Sequence, residues 1–476
     1  EAVDAATLAL DTHGALGPLN SLRSVQSRGT FLLGEARSWA PDHPDDLEPA
    51  GLPFVTPERY KAEMSVAVLF AGQAQRALRL ATDAVAMNTG SAAADEAITD
   101  AVAASVCGML HSAGGRVSDG QLHFRRMAAA LRRDPTNASY LGPELFHASA
   151  LLMLGDLQGA SAAVDRDDAT TDFAVTLRLP VRHAIRAAVL FERGDWDSAI
   201  AEADASALLS RELGVAVQNN YSSGVRALVS ALRGDVDGAA AILGDPSAGV
   251  GVEWTAWAHL AVAEARSDLA TALMVGRMVI DGFAAAGVGL LGLQLAPRVA
   301  RLTVATGGDI DGLRAVLHTL DVDAQAPVAM ARRQWALGWL DDDTEAISAA
   351  AHALTHAGYT FEGVDAWRDV GRRTGALPPD AAQAAAAALG LQEGVASRSP
   401  GARPGGSGAA FGWEALSAAE RRVLDLLAEG LDNAAIAARL FLSRRTVESH
   451  LGHVYTKLGI SGRSRLVAEV LRRRTR

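Results

Sequence analysis

The feature that most constrains this chain is a turn that recurs through its first 342 residues. Gly or Ser followed by Asp stands at Ser118-Asp119, Gly155-Asp156, Gly194-Asp195, Gly234-Asp235, Ser267-Asp268 and Gly308-Asp309, with Asp341-Asp342 as a degenerate seventh copy. Successive copies lie 37, 39, 40, 33, 41 and 33 residues apart. Five positions beyond the turn stands Ala160, Ala199, Ala239, Ala272 or Ala346, and His123 and Leu313 are the departures. Apolar residues at helical spacing precede the turns, for example Ile185, Ala188, Val189 and Leu190. Each unit therefore reads as a helical hairpin. The Gly/Asp pair ends one helix and caps the next, and the alanine sits where the two helices cross too closely for a larger side chain. One hairpin cannot bury its own apolar stripe, so the units are expected to stack into an all-α solenoid.

Composition supports helices with small, close-packed faces. Hydrophobic residues make up 49% of the 476, but aromatic residues only 5%, which leaves alanine to carry much of the packing. Lysine occurs at Lys61 and Lys457 alone, against 42 arginines, a balance that points to a bacterium with a GC-rich genome. The single cysteine, Cys107, excludes an intramolecular disulfide and fits a reducing cytoplasm. It is expected to be a small core residue. The longest apolar stretch, Val288–Ala305, is broken by Pro297, Arg298 and Arg301, so no membrane span is expected. Net charge divides unevenly: residues 411–476 carry +5, and the rest of the chain −16. A basic end on an acidic body predicts nucleic-acid binding at that end only.

The hairpin pattern resembles the tetratricopeptide repeat, best in Arg193-Gly-Asp-Trp-Asp-Ser-Ala-Ile200 and in the helix end Ala130-Leu-Arg-Arg-Asp-Pro-Thr-Asn137. Most copies lack the aromatic after the turn, and generic helical hairpins remain the alternative. Either implies a curved helical surface for a ligand or partner. Residues 1–110 are expected to form an N-terminal helical region, with helical stretches Ala67–Val85 and Ala92–Leu110 after a proline-rich loop from Pro41 to Pro57. Tetratricopeptide-like repeats would occupy 111–391. The Gly-, Pro- and Ser-rich segment 392–412 reads as a flexible tether, spanning roughly 25 Å on average, and 413–476 as a separate domain.

In that last segment Ser417-Ala-Ala-Glu420 is a capping box. The helix it opens presents Val423, Leu424, Leu427 and Leu431 and stops at Gly430. Asp432 or Asn433 then caps a short helix carrying Ile436, Ala437 and Leu440, and Ser443 caps a third that buries Val447, Leu451, Val454 and Leu458. A fourth, from about Arg463, carries Leu466, Val467, Val470 and Leu471. Two short helices joined by a tight connection form the helix-turn-helix arrangement. The matches at Glu420-Arg421, Ala428-Glu429-Gly430, Asn433, Ile436-Ala437, Leu440, Ser443, Thr446-Val447, His450, Lys457-Leu458 and Arg463 closely resemble the LuxR/NarL (GerE-type) DNA-binding domain.

That resemblance implies a third helix in the major groove, with Glu448, Ser449 and Gly452 facing base edges. It places Arg444, Arg445, Thr446, His450, Lys457 and Arg463 near phosphates, which positions the helix without reading sequence, and counts His453 among the DNA-binding residues. His450 as a core histidine is the alternative. Glu448 stands where other members often carry lysine; a carboxylate there can accept from cytosine N4. Gly452 offers no side chain, so DNA shape is expected to supply part of the readout. The implied partners are double-stranded promoter DNA, a second copy of the chain through the last helix, and RNA polymerase.

Helical repeats before this domain resemble the large ATP-binding LuxR regulators of the MalT type. A P-loop needs a lysine after glycine to hold the phosphates, and neither Lys61 nor Lys457 fits. No ATPase is therefore expected, and the start at Glu1 rather than Met suggests a partial member of that group. His352 and His356 could share one helix face, but no third ligand stands nearby, so no metal site is expected. No catalytic constellation appears and no cofactor is expected. The sequence thus reads as a cytoplasmic transcriptional regulator rather than an enzyme, with a helical-repeat scaffold of weak or vestigial DNA binding as the competing class.

Overall fold

The computed structural model describes residues 56–88, 94–133, 142–165, 173–214, 219–243, 249–375, 413, 418–428, 430–440, 447, 451, 454–455, 458, 460 and 463–474. Among these residues the fold is all-α, with no strand. The body is a run of helical hairpins. The first four are α1 Pro57–Phe70 with α2 Ala74–Met87, α3 Ala94–Ala113 with α4 Val117–Arg133, α5 Pro143–Leu154 with α6 Leu157–Asp165, and α7 Phe173–Glu192 with α8 Trp196–Leu213. Then come α9 Asn219–Leu232 with α10 Val236–Leu243, α11 Val252–Ala265 with α12 Leu269–Ala285, α13 Ala296–Thr306 with α14 Ile310–Thr319, and α15 Pro327–Leu340 with α16 Thr344–His356. Helix α17, Thr360–Thr374, ends the series, and a 3-10 turn at Gly289–Gln294 precedes α13.

The hairpin turns share one backbone device. Gly194 lies at φ +82°; its N–H donates to Phe191 O (2.9 Å), and that of Asp195 to Leu190 O (3.0 Å). This is a Schellman closure, which satisfies carbonyls the helix end would otherwise leave orphaned. Asp195 then accepts from Ser198 N at 3.3 Å, and so caps the next helix, a contact worth about 1 kcal/mol. Asp156, Asp235, Asp268 and Asp309 cap in the same way, accepting from the backbone N–H three residues on at 2.7–3.1 Å. At the crossing, Ala160, Ala199, Ala239 and Ala272 are fully buried.

Two of the expected turns are displaced. Ser118-Asp119 lies inside the first turn of α4; the chain turns instead at Gly115, φ +88°. Five residues beyond stands Gly120, where a Cβ would come within 2.2 Å of Ser112 Oγ and 2.9 Å of Gly108 O. The last copy shifts by one: Asp342 has φ +57° and Asp343 caps α16. The buried crossing residue is therefore Ile347, while Ala346 is only half-buried. An Asp-centred pattern finds caps well but misses turns whose decisive property is positive φ. The same error joins Ala67–Val85 into one helix, which the structure divides at Gly72, φ +82°.

The hairpins do not form an open arch. Gln75 Nε2 donates to Ala285 O at 3.1 Å and Gln325 Nε2 to Ser118 Oγ at 2.9 Å. A Cβ on Gly249 would stand 2.4 Å from Phe70 O, and one on Gly155 would stand 2.4 Å from Val328. Tyr359 Oη also donates to Leu152 O. Early and late hairpins thus pack on each other across more than 170 residues, and the expected curved surface turns inward. Phe191 sits at its centre, stacked on Trp196 at 5.7 Å and edge-on to Trp254, Trp257 and Phe361 at 5.5–5.7 Å. One apolar core runs from Tyr60 to Val370, and the expected division at 110 falls inside α3. Cys107 is fully buried in that core, and burial pushes its thiol up to about 11.

Candidate nucleic-acid interface

The C-terminal segment has its own core, built from the residues the 3–4 spacing singles out. Val423, Leu424 and Leu427 come from α18 (Ala418–Ala428), and Ile436 from α19 (Asn433–Leu440). Leu466 and Val470 come from α20 (Arg463–Arg474). Val447, Leu451 and Val454, all helical, fill the space between them, and Trp413, Leu431, Leu458 and Val467 pack at the edge. Inward positions at 447, 451 and 454 are the 4–3 repeat of one helix face.

The connection between α18 and α19 is built like those of the body. Gly430 at φ +87° donates to Leu427 O (3.0 Å), and Leu431 N to Leu426 O (3.3 Å). Asp432 accepts from Ala435 N at 2.8 Å. The cap left open between two residues is thus Asp432, which frees Asn433 for another role. Arg463 takes it: its Nη1 donates to Asn433 Oδ1 at 2.7 Å and its Nη2 to Leu431 O. A single guanidinium at the start of α20 clamps the loop that opens the helix-turn-helix, across 30 residues of sequence. A bidentate hold of this kind fixes angle as well as distance.

Of the residues expected to meet DNA, Arg463 is described, and it spends these two donors on that loop. Arg444, Arg445, Thr446, Glu448, Ser449, His450, Gly452, His453 and Lys457 lie outside the described residues. Sequence reasoning missed the Arg463–Asn433 contact, although both residues stood in the pattern that marked the domain. It also missed the lid at Trp413. There Arg421 Nη2 donates to Trp413 O at 3.5 Å, and the Arg473 guanidinium lies 5.0 Å from the Trp413 ring centre. Arg421, Arg465, Arg472 and Arg473 are exposed.

Two other expectations end in the body. Lys61 is buried and its Nζ meets Asp83 at 3.3 Å. His352 stands edge-on to Trp367 at 4.6 Å. Among the described residues no group of His, Cys, Asp and Glu could hold a metal, and no helix is long and apolar enough to cross a membrane.

Residues 414–470 match the family described as bacterial regulatory proteins, luxR family. They form a LuxR-family helix-turn-helix domain. A Mycobacterium bovis protein named as an HTH-type transcriptional regulator is 48% identical over 98 residues, covering 20% of this chain and a tenth of its own length. NarL of Mycobacterium tuberculosis, named as a transcriptional regulatory protein, is 48% identical over 59 residues, 12% of this chain and 27% of NarL. GfsR of Streptomyces halstedii, named as an HTH-type transcriptional regulator, is 28% identical over 182 residues, 36% of this chain and 67% of GfsR. The match thus spans between a tenth and about a quarter of the length of these mycobacterial proteins.

Proposed function

We propose that the chain is a DNA-binding transcriptional regulator of bacterial cytoplasm, in which the helical body responds to a ligand or protein and the LuxR-type domain binds promoter DNA. The observation that carries this reading is the C-terminal domain itself: a family match over 414–470 on a compact core to which Val447, Leu451 and Val454 contribute. In the sequence, Glu448 and Ser449 directly follow the inward Val447, and Gly452 follows Leu451. These three are the proposed base-facing positions. Arg444, Arg445, Thr446, His450, His453 and Lys457 are the proposed phosphate contacts, and their positive members would supply the salt-dependent part of affinity. Arg463 would add to them only with donors left over from its clamp on Asn433. The segment 392–412 is proposed as the tether between body and domain, and α20 as the face on which two copies meet on DNA, with RNA polymerase as a downstream partner.

Titrating the full chain against promoter DNA at two salt concentrations tests the reading. Each neutralised phosphate should lower log K by about 0.9 per unit of log salt, and Arg445→Ala should reduce that slope by about 1. Absence of binding, or a slope near zero, overturns it in favour of a helical scaffold without DNA function.

A further inference from the structure

A cavity of about 30 Å³ lies inside the body, walled by α3, α5, α7, α9, α11, the 3-10 turn and α15. Its polar lining is Ser149, Glu192, Tyr221, Glu253, Gln294 and Arg332, and Trp254 adds an indole. Glu192 is 1% exposed. Its Oε1 accepts from Gln294 Nε2 and Arg332 Nη2, each at 3.3 Å, while its Oε2 is sealed from solvent and has no hydrogen-bond partner. Glu253, also buried, accepts from its own backbone N–H at the start of α11. Arg332 is the cation of this wall, but it is committed behind it: Glu362 takes its Nη2 at 2.8 Å, and the Tyr359 ring lies 5.1 Å away.

Glu192 and Glu362 thus share one guanidinium, and one oxygen of Glu192, a residue of the cavity wall, has no hydrogen-bond partner. An unpaired buried acceptor is a costly arrangement that proteins normally satisfy with a donor or water. Aromatic faces beside carboxylates favour a cation over a neutral donor. The volume admits one or two waters, or a head group of similar size. We propose that this cavity binds the primary ammonium head of a small organic cation, with Glu192 Oε2 and Glu253 as its acceptors and Trp254 and Tyr221 beside it. The proposal names a ligand class for the sensing role given to the body, and its link to DNA binding rests on that reading.

The titratable and charged groups facing the site are Glu192 from α7, Tyr221 from α9, Glu253 from α11 and Arg332 from α15, with Glu362 and Tyr359 behind Arg332. Burial pushes the Glu253 carboxyl up to about 7, so at neutral pH it is partly protonated. A bound cation favours the carboxylate and expels that proton.

Thermal unfolding of the full chain in methylammonium chloride, against sodium chloride at equal ionic strength, tests the site. A saturable rise in Tm of a few degrees is expected, and Glu253→Gln should abolish it. Calorimetric titration of the unmodified chain with methylammonium in two buffers of different ionisation enthalpy gives a second reading, because proton release makes the heat buffer-dependent. Equal Tm in both salts together with buffer-independent heat overturns the proposal and leaves the cavity to water. If that happens while DNA binding keeps its salt dependence, the cavity proposal fails alone. If methylammonium stabilises a chain that binds no DNA at any salt, the regulator reading fails and the site stands.

Discussion

The body and the LuxR-type domain end their helices alike and differ in what they do with charge. Gly194-Asp195 in the body and Gly430 with Asp432 in the domain use the same pairing of a left-handed residue and an aspartate cap. In the body, several arginines turn inward. Arg298 meets Asp365 at 3.1 Å, and Arg332 meets Glu192 and Glu362. Asp369, fully buried, accepts from Trp335 Nε1 at 3.0 Å and Trp339 Nε1 at 2.7 Å. In the domain Arg421, Arg465, Arg472 and Arg473 stay at the surface, around a core of small apolar contacts. Buried pairs fix which hairpins meet and cost heavily when one partner is lost; surface pairs contribute little and their loss costs little. The body commits arginines to buried ion pairs, whereas those described in the domain make their contacts at or near its surface, Arg463 on Asn433 and Arg472 on Glu469.

The sharpest way to break this contrast is Arg332→Ala. It leaves Glu192 and Glu362 buried beside each other without a counter-ion, and should cost the body about 3–5 kcal/mol. Calorimetry should show the body's transition fall while that of the C-terminal domain holds. If both move together, the two regions are one cooperative unit. The next effect is steric: Ala199→Leu at the fully buried crossing should cost about 1–3 kcal/mol, and Ala346→Leu, at a half-buried position, under about 0.5 kcal/mol. Equal losses in denaturant melts would show that the crossing register starts at Asp341 after all.

A pH series separates the regions further. The Glu253 carboxyl stands at about 7 in the folded body against 4.5 for the free group, so the folded state binds more protons between these values. The stability that Glu253 contributes should fall as pH rises from about 4.5 to 7, by roughly 1–3 kcal/mol; His111, whose imidazole burial pushes down to about 4, contributes in the opposite direction, so the readout is the difference between the parent chain and Glu253→Gln. A Glu253→Gln body with an unchanged pH profile would refute the assignment. The smallest effects belong to the domain. Asp432→Ala should lower its stability by about 1 kcal/mol and Asp432→Asn by much less. Arg463→Ala should cost about 1–2 kcal/mol through the loss of Asn433 and the Leu431 carbonyl. A loss of DNA affinity without loss of stability would instead make Arg463 a phosphate contact first.

Much of this was legible in the order of residues. The domain's inward positions, from Val423 to Val470, follow from 3.6-residue periodicity, and the aspartate caps follow from local hydrogen bonding that needs no tertiary partner. The turns at Gly72 and Gly115 were hidden because neither has an aspartate cap, and a positive φ leaves no other mark than glycine itself. The choice of Asp432 over Asn433 as cap was equally hidden, since both side chains can cap and Arg463 decides between them.

By itself the sequence determined an all-α chain of capped hairpins ending in a basic helix-turn-helix, because these properties are set within a few residues of one another. Only the tertiary structure decided that the hairpins close on themselves instead of leaving an open concave face. It also brought Glu192, Glu253 and Arg332, from three separate hairpins, around one cavity. Closure depends on the summed rotation between successive units, and a difference of a few degrees per hairpin, invisible in any single repeat, selects which distant side chains meet.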